Sequence, residues 1–216
     1  MNTMRKKKAA IKIILLCILA AAANNGLNIL CIDIIKIPLF LDTVFTAAVS
    51  FTVGLVPGLI TALLTQAGSS FREGSTNPFV LCSFAEVLLI CALNPLAAKK
   101  KPLNGEQSGD LKRSRPQTSA TVVSIFARLL LLYIVSCLAI SILGGIIDFV
   151  YHGLFSMSKP YFSAEDSFKI SLMRGGTPML VINILSRIPV NIVDRFVVIF
   201  GGFFLSRGLR KIFSAS

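Results

Sequence analysis

The feature that most limits how this chain can fold is a stretch from Ile37 to Gln66, which reads IPLFLDTVFTAAVSFTVGLVPGLITALLTQ. It consists of two short apolar segments that meet at Val56-Pro57-Gly58. A helix needs about 20 apolar residues to cross a bilayer, so each segment is short for a span, while both together are too long for one. Gly54 and Gly58 lie four residues apart beside the turn, a spacing that lets helix backbones approach closely. The pattern predicts a tight helical hairpin inside a membrane protein.

The number and position of the charged residues predict the same class and an orientation. Charged residues make up 15% of the chain, against about 25% in soluble domains, and the mean hydropathy is +0.77. Most of the 22 Lys and Arg residues lie before the first apolar run, in residues 98–117 and after the last apolar run. Basic loops beside spans are cytoplasmic, so both termini and residues 98–117 are predicted to be cytoplasmic. Basic membrane flanks explain the net charge of +12, and no nucleic-acid partner is expected.

The apolar segments divide the chain into six predicted transmembrane helices within one transmembrane domain, residues 1–216. Asp42 and Thr43 form a predicted N-cap, and residues 98–117 form a flexible cytoplasmic linker between helices 4 and 5. The first segment also has features of a cleavable signal peptide, but its apolar run resumes through Leu27 to Ile35, which favours a retained helix. The predicted spans are Ala9–Leu30, Val44–Val56, Pro57–Ser69, Phe79–Ala97, Ser119–Ile147 and Met179–Leu205.

Charged side chains inside the spans are candidates for function, because a charge in a bilayer normally faces a partner or a cavity. Glu86 and Arg187 each lie about 12 Å below the outer end of a predicted helix, by helical rise. We expect them to meet, either as a structural ion pair or in a substrate site. Arg128 and Asp194 form a second candidate pair nearer the cytoplasm, and Arg195 is expected to extend toward the inner surface.

Polar side chains near the outer ends of the helices extend this candidate site. With the loop from Cys31 to Leu41, they predict a pocket in the outer half of the membrane. Arg187 would hold an anionic or carbonyl group, and Glu86 an amine or hydroxyl group. The five cysteines are interpreted as small apolar residues, with no metal site. The predicted substrate-binding residues are Asn28, Asp42, Gln66, Glu86, Asn183 and Arg187.

Sequence signatures of catalysis are missing from the chain. It contains no HExxH, no GxxxxGK[ST] and no GxSxG motif. We therefore expect neither an enzyme nor a resident cofactor, and any active transport would take its energy from an ion gradient or from another subunit.

Three segments resemble the substrate-binding S component of energy-coupling factor (ECF) vitamin transporters: PLFLDTVFTAAVSFTVGLVPGLITALL, LAAAANNG and RIPVNIVDRFVVIFGGFF. The resemblance implies capture of a vitamin or related micronutrient from outside, and association with a shared transmembrane subunit and two ATPases. It also implies a coupling face on helix 1, where the family has two alanines four apart. Here Cys17 with Ala21, and Ala22 with Gly26, give small residues at that spacing. The alternatives are a membrane sensory or regulatory module and a stand-alone secondary carrier.

Overall fold

The computed structural model describes residues 2–36, 39–74, 77–94, 117–154 and 164–214, which are helical and contain no strand. The all-helical prediction is therefore confirmed for these ranges. Short π-helical turns extend α1 over Leu30–Ile34 and α5 over Phe149–Leu154, and a third, Val197–Gly201, joins α7 to α8. The helices are α1 (Asn2–Ile29), α2 (Val44–Thr52), α3 (Leu55–Glu73), α4 (Val80–Leu93), α5 (Gln117–Asp148), α6 (Ala164–Arg174), α7 (Met179–Phe196) and α8 (Gly202–Ser214).

Three helical stretches of the described chain are long and apolar enough to cross a membrane: Ala10–Ile34, Val122–Tyr151 and Met179–Lys211. Many of their large apolar side chains point outward; Ile11 is 64% exposed and Val123 is 67% exposed. A surface with so much continuous apolar area is matched by lipid rather than by water. The structure therefore indicates membrane association.

Side-chain contacts define how the helices run. Sγ of Cys17 donates to the Pro57 carbonyl, and Oδ1 of Asn25 accepts from the Ser69 hydroxyl. These contacts advance along α1 and α3 in the same direction, so the two helices are parallel. Contacts of Tyr133 with Phe196 and of Gly145 with Ile184 show that α5 and α7 are antiparallel. Helices α1, α3 and α5 finish at the same end of the molecule. We call this end the loop end. The core between the helices is built mainly from Val44, Ala47, Phe51, Ile90, Leu129, Leu132, Val198, Ile199 and Phe203.

The hairpin is present, but its turn lies earlier than the sequence suggested. Helix α2 ends at Thr52, the chain turns at Val53 and Gly54, and Pro57 lies inside the first turn of α3. The turn was predicted at Val56-Pro57-Gly58, with the second helix beginning at Pro57. Helix α3 instead begins at Leu55, because Gly54 takes the conformation that turns the chain. Gly54 has φ 109° and ψ −161°, a conformation that is essentially restricted to glycine.

Close packing against α4 explains the second glycine of the hairpin. A Cβ atom on Gly58 would lie 2.9 Å from Cγ1 of Val87, and real Cβ atoms do not tolerate such a distance. Gly58 therefore makes room for side chains of the neighbouring helices, and the predicted close approach of backbones stays a prediction.

Helix α2 begins inside the molecule, where a side chain of α1 holds its first turn. Thr43 occupies the N-cap position but makes no side-chain capping bond. The Phe45 N–H instead donates to Oδ1 of Asn24 at 2.9 Å, and Nδ2 of Asn24 donates to the hydroxyls of Thr46 and Thr65. Asn24 is fully buried, so one amide fixes the depth at which α2 starts. The nine residues of α2 span only about 14 Å.

The last predicted span, Met179–Leu205, corresponds to α7, the π-helical turn and the start of α8, and the helical path continues to Ser214. Gly202 lies directly against α2; a Cβ there would be 3.2 Å from the backbone nitrogen of Ala48. The outer loop predicted between α5 and α7 contains the short helix α6. The predicted linker, residues 98–117, lies outside the described residues except for Gln117.

Candidate functional site

A polar cavity of about 220 Å³ lies between the helices. Its wall takes side chains from α1, the segment before α2, and helices α3, α4, α5 and α7. Charged groups inside an apolar helical protein are expensive unless they serve a site, so this cavity is the best candidate for function. The lining residues are Asn28, Ile32, Phe40, Asp42, Thr43, Gln66, Ser69, Asn77, Phe79, Cys82, Ser83, Ile140, Arg187, Asn191, Asp194 and Arg195.

Arg195 of α7 holds one side of the cavity through two carboxylates. Its Nη1 donates to Oε2 of Glu86 on α4, and its Nη2 and Nε donate to Oδ2 of Asp194, the Nε bond being 3.1 Å long. All three side chains are at least 94% buried. The prediction that Arg195 extends to the inner surface was wrong. The guanidinium group instead neutralises charge that two carboxylates would otherwise carry in the interior.

Arg187 lies on the same helix as Arg195, nearer the start of α7, and it has a different set of partners. Its Nη2 lies 3.3 Å from Oδ1 of Asp148 at the end of α5, and its guanidinium carbon lies 4.5 Å from the ring centroid of Phe79. Oδ2 of Asp148 also accepts a 2.6 Å bond from Nζ of Lys169 on α6. Asp148 therefore ties α5, α6 and α7 together, and it holds Arg187 at the cavity wall.

Both ion pairs expected from the sequence were wrong. Glu86 pairs with Arg195, whereas Arg187 pairs with Asp148. Asp194 also pairs with Arg195, and Arg128 is exposed on α5. The sequence argument placed Glu86 and Arg187 at the same depth. Arg187 instead meets Phe79 at the start of α4, and Arg195 meets Glu86 farther along, so α7 is shifted along its axis relative to α4.

Four of the six residues predicted from the sequence to bind substrate line the cavity: Asn28, Asp42, Gln66 and Arg187. Glu86 lies behind the wall on Arg195, and Asn183 is buried on α7 without forming part of the lining.

Asn28 also connects the cavity to the surface at the loop end. Its Oδ1 accepts a 3.0 Å bond from Nη2 of Arg72, whose Nη1 lies 3.2 Å from Oδ2 of Asp33. These contacts join the end of α3 to the end of α1 beside the cavity.

The lining residues that sequence reasoning missed include Asn191, Asp194 and Arg195. Nδ2 of Asn191 donates a 2.9 Å bond to Oγ of Ser141 on α5. Polar residues recur on α7 at 183, 187, 191 and 194–195. A spacing of three to four residues places side chains on one face of a helix, so this polar stripe on an apolar helix was the available signal.

Several polar atoms at the cavity have no hydrogen-bond partner within the described chain. They include Oδ1 of Asp194, Nε2 of Gln66 and Nε of Arg187. A buried polar group without a partner costs about 1–3 kcal/mol. The three residues that carry these atoms, an acceptor and two donors, all line the cavity. Among the described residues, no group of three or more His, Cys, Asp or Glu side chains is placed to hold a metal ion.

The four residues of the expected coupling face do not lie on one face of α1. Cys17 and Ala21 are buried, at 1% and 5% exposed, and Cys17 packs beside Val49 of α2. Ala22 and Gly26 are exposed, and a Cβ on Gly26 would meet nothing within 4 Å. Only the second pair is accessible to another protein in this conformation.

Comparison with known proteins identifies no relative: no family model matches the chain, and no curated protein or solved structure matches it significantly. The class is defined by the fold of the described residues, which are helical, include three helices suited to cross a membrane, and surround a cavity with polar groups.

Proposed function

We propose that this chain is the membrane-embedded substrate-binding subunit of an ECF-type importer in the cell membrane. It captures a vitamin or related micronutrient from the outer side, and partner subunits supply the ATP hydrolysis that drives uptake. The observation that carries this proposal is the cavity of about 220 Å³ with unpartnered donors and an acceptor on its wall.

The character of the cavity supports binding of a small molecule. Pockets for small molecules combine apolar walls with a few placed polar groups. Here Phe40 and Ile140 supply apolar wall, and Asn28, Gln66 and Arg187 supply amide and guanidinium groups. The contacts of Asn24 and Arg195 fix the surrounding helices, so the site is formed before a ligand arrives.

The proposed topology has six membrane spans, with both termini in the cytoplasm. Three long apolar helices support part of it. The remaining spans are α4 and the hairpin of α2 and α3, whose short first helix starts inside the protein. This topology places the loop end, and with it the cavity, in the outer half of the membrane.

The proposal includes coupling to partner subunits. The resemblance in sequence supports a shared transmembrane subunit and two ATPases. Ala22 and Gly26 are small and exposed on α1, and small residues let another helix approach closely.

Ligand binding is tested by purifying the full chain in detergent and measuring thermal shifts with the water-soluble vitamins and their precursors. We expect at least one compound to raise the melting temperature. Gln66→Leu should weaken that binding without lowering the stability of the free protein, because Nε2 of Gln66 has no protein partner to lose. Ala67→Leu, at an exposed neighbouring position on α3, is the matched control and should bind as the wild type does. Unchanged binding by Gln66→Leu would contradict the site.

Transport experiments separate the proposal from its alternatives. Co-purification with ATPase subunits is the expected result. Uptake by the isolated chain in vesicles, driven by a proton or sodium gradient alone, would instead identify a secondary carrier. Ligand-dependent recovery of a signalling protein without ATPases would identify a sensory module.

A further inference from the structure

The charges around the cavity do not balance. Every cation of this group already has a carboxylate partner: Arg195 pairs with Glu86 and Asp194, while Arg187 and Lys169 share Asp148. Asp42 forms no ion pair with any Lys or Arg of the described chain. With all groups ionised, one negative charge is in excess among Asp42, Glu86, Asp148, Asp194, Lys169, Arg187 and Arg195.

Two of these carboxylates, those of Asp42 and Asp194, belong to residues that line the cavity. Oδ1 of Asp194 is buried without a hydrogen-bond partner, on a side chain that is fully buried. Two carboxylates that face one cavity repel each other, and a positive group placed between them removes the repulsion.

We infer that the ligand of this cavity carries a positively charged nitrogen, which binds at the carboxylates of Asp42 and Asp194. The inference rests on the proposed function, and it names the chemical class of the substrate: a small organic cation or a protonated amine.

The remaining wall indicates what else the ligand carries. Nε2 of Gln66 and Nε of Arg187 are donors without partners, so they suit a carbonyl, hydroxyl or anionic oxygen away from the charged nitrogen. Phe40 contributes an aromatic ring that is 40% exposed, and such rings attract cations. The cavity, of about 220 Å³, suits a small ring or chain. An inorganic cation would leave the donors of Gln66 and Arg187 and the aromatic ring unused.

The test measures binding as a function of ligand charge. The full chain in detergent is titrated with benzylamine, benzyl alcohol and benzoate, which share a ring and differ in charge, and with the vitamin panel used above. We expect the compounds that stabilise the protein to carry a charged nitrogen, and benzylamine to be favoured over the other two fragments. Sodium chloride at equal concentration is included, and stabilisation by this salt alone would overturn the inference in favour of an inorganic cation.

The variant Asp42→Asn provides the second part of the binding test. It retains the shape of the side chain and should weaken binding of the cationic compounds by roughly 30-fold or more. The matched control is Asp33→Asn, because Asp33 is 53% exposed and pairs with Arg72 outside the cavity. Size-exclusion chromatography and the melting temperature without ligand establish that each variant is folded. The charge preference of the wild type tests the inference independently of any variant.

The outcomes separate this inference from the proposed function. Binding of neutral or anionic compounds only, or equal binding by Asp42→Asn, would overturn the charge inference and leave a binding subunit. Binding of no compound would contradict both.

Discussion

Removal of the Arg195 guanidinium group is the sharpest test of the interior of this protein. Arg195→Gln leaves the carboxylates of Glu86 and Asp194 buried without the cation that both now share. Breaking a buried ion pair by removing one partner costs about 3–5 kcal/mol. For a chain of this size, each kcal/mol shifts the melting temperature by about 2–4 °C. A loss of about 4 kcal/mol therefore predicts a melting temperature that is lower by about 8–16 °C.

The same cluster predicts which second substitution is coupled to the first. Glu86→Gln alone removes one charge-assisted bond, which is worth about 1.5–3 kcal/mol. The double variant Glu86→Gln/Arg195→Gln should lose about 2 kcal/mol less unfolding free energy than the sum of the two single losses, because the two side chains are in contact. In the double variant Glu86→Gln/Arg187→Gln, the two losses of unfolding free energy should add within about 0.5 kcal/mol, since Arg187 pairs with Asp148 instead.

The assay is denaturation of the purified chain in detergent, followed by far-ultraviolet circular dichroism, for the three single and two double variants. Strong coupling of Glu86 with Arg187 rather than with Arg195 would refute the observed pairing and restore the one expected from depth alone. Additivity in both cycles would show that the carboxylate of Glu86 does not depend on either cation.

Two further predictions concern the hairpin. Asn24→Ala should lower the unfolding free energy by about 3 kcal/mol, because it leaves the Phe45 N–H and two hydroxyls without their bonds. A loss of about 1 kcal/mol or less in thermal melts would contradict a capping role for Asn24. Gly54→Ala should lower the unfolding free energy by about 1–3 kcal/mol because Gly54 has a positive φ. Gly26→Ala, on the open face of α1, should leave the stability unchanged or raise it. An unchanged stability of Gly54→Ala would show that the turn adopts another conformation.

Much of the secondary structure could be predicted from apolar runs and their interruptions. Helix α7 begins at Met179 as predicted, and the described part of α5 begins within two residues of the predicted start. The start of α2 after Thr43 was also correct. These boundaries are local, because a polar or helix-breaking residue marks them wherever the helix later packs.

The same local logic picked out four residues that line the cavity. Asn28, Asp42, Gln66 and Arg187 are polar residues at the edges of apolar runs or within them, and all four line the cavity. A polar group in an apolar helix costs free energy, so a functional site is the simplest explanation for several of these residues.

Only the tertiary structure decided which of these groups meet. Glu86 was expected to meet Arg187, yet it meets Arg195, while Arg187 lies beside Phe79 at the start of α4. The rise per residue gives the spacing within one helix, but packing decides how far one helix is shifted along another. The depth of α2 likewise depends on Asn24, which precedes Phe45 by 21 residues in the chain. The sequence by itself determined where helices form and which polar groups they carry into an apolar interior. The packing of α4, α5 and α7 decided the ion pairs and left Asp42 without one among the described residues, because long-range contacts set the position of each helix relative to its neighbours.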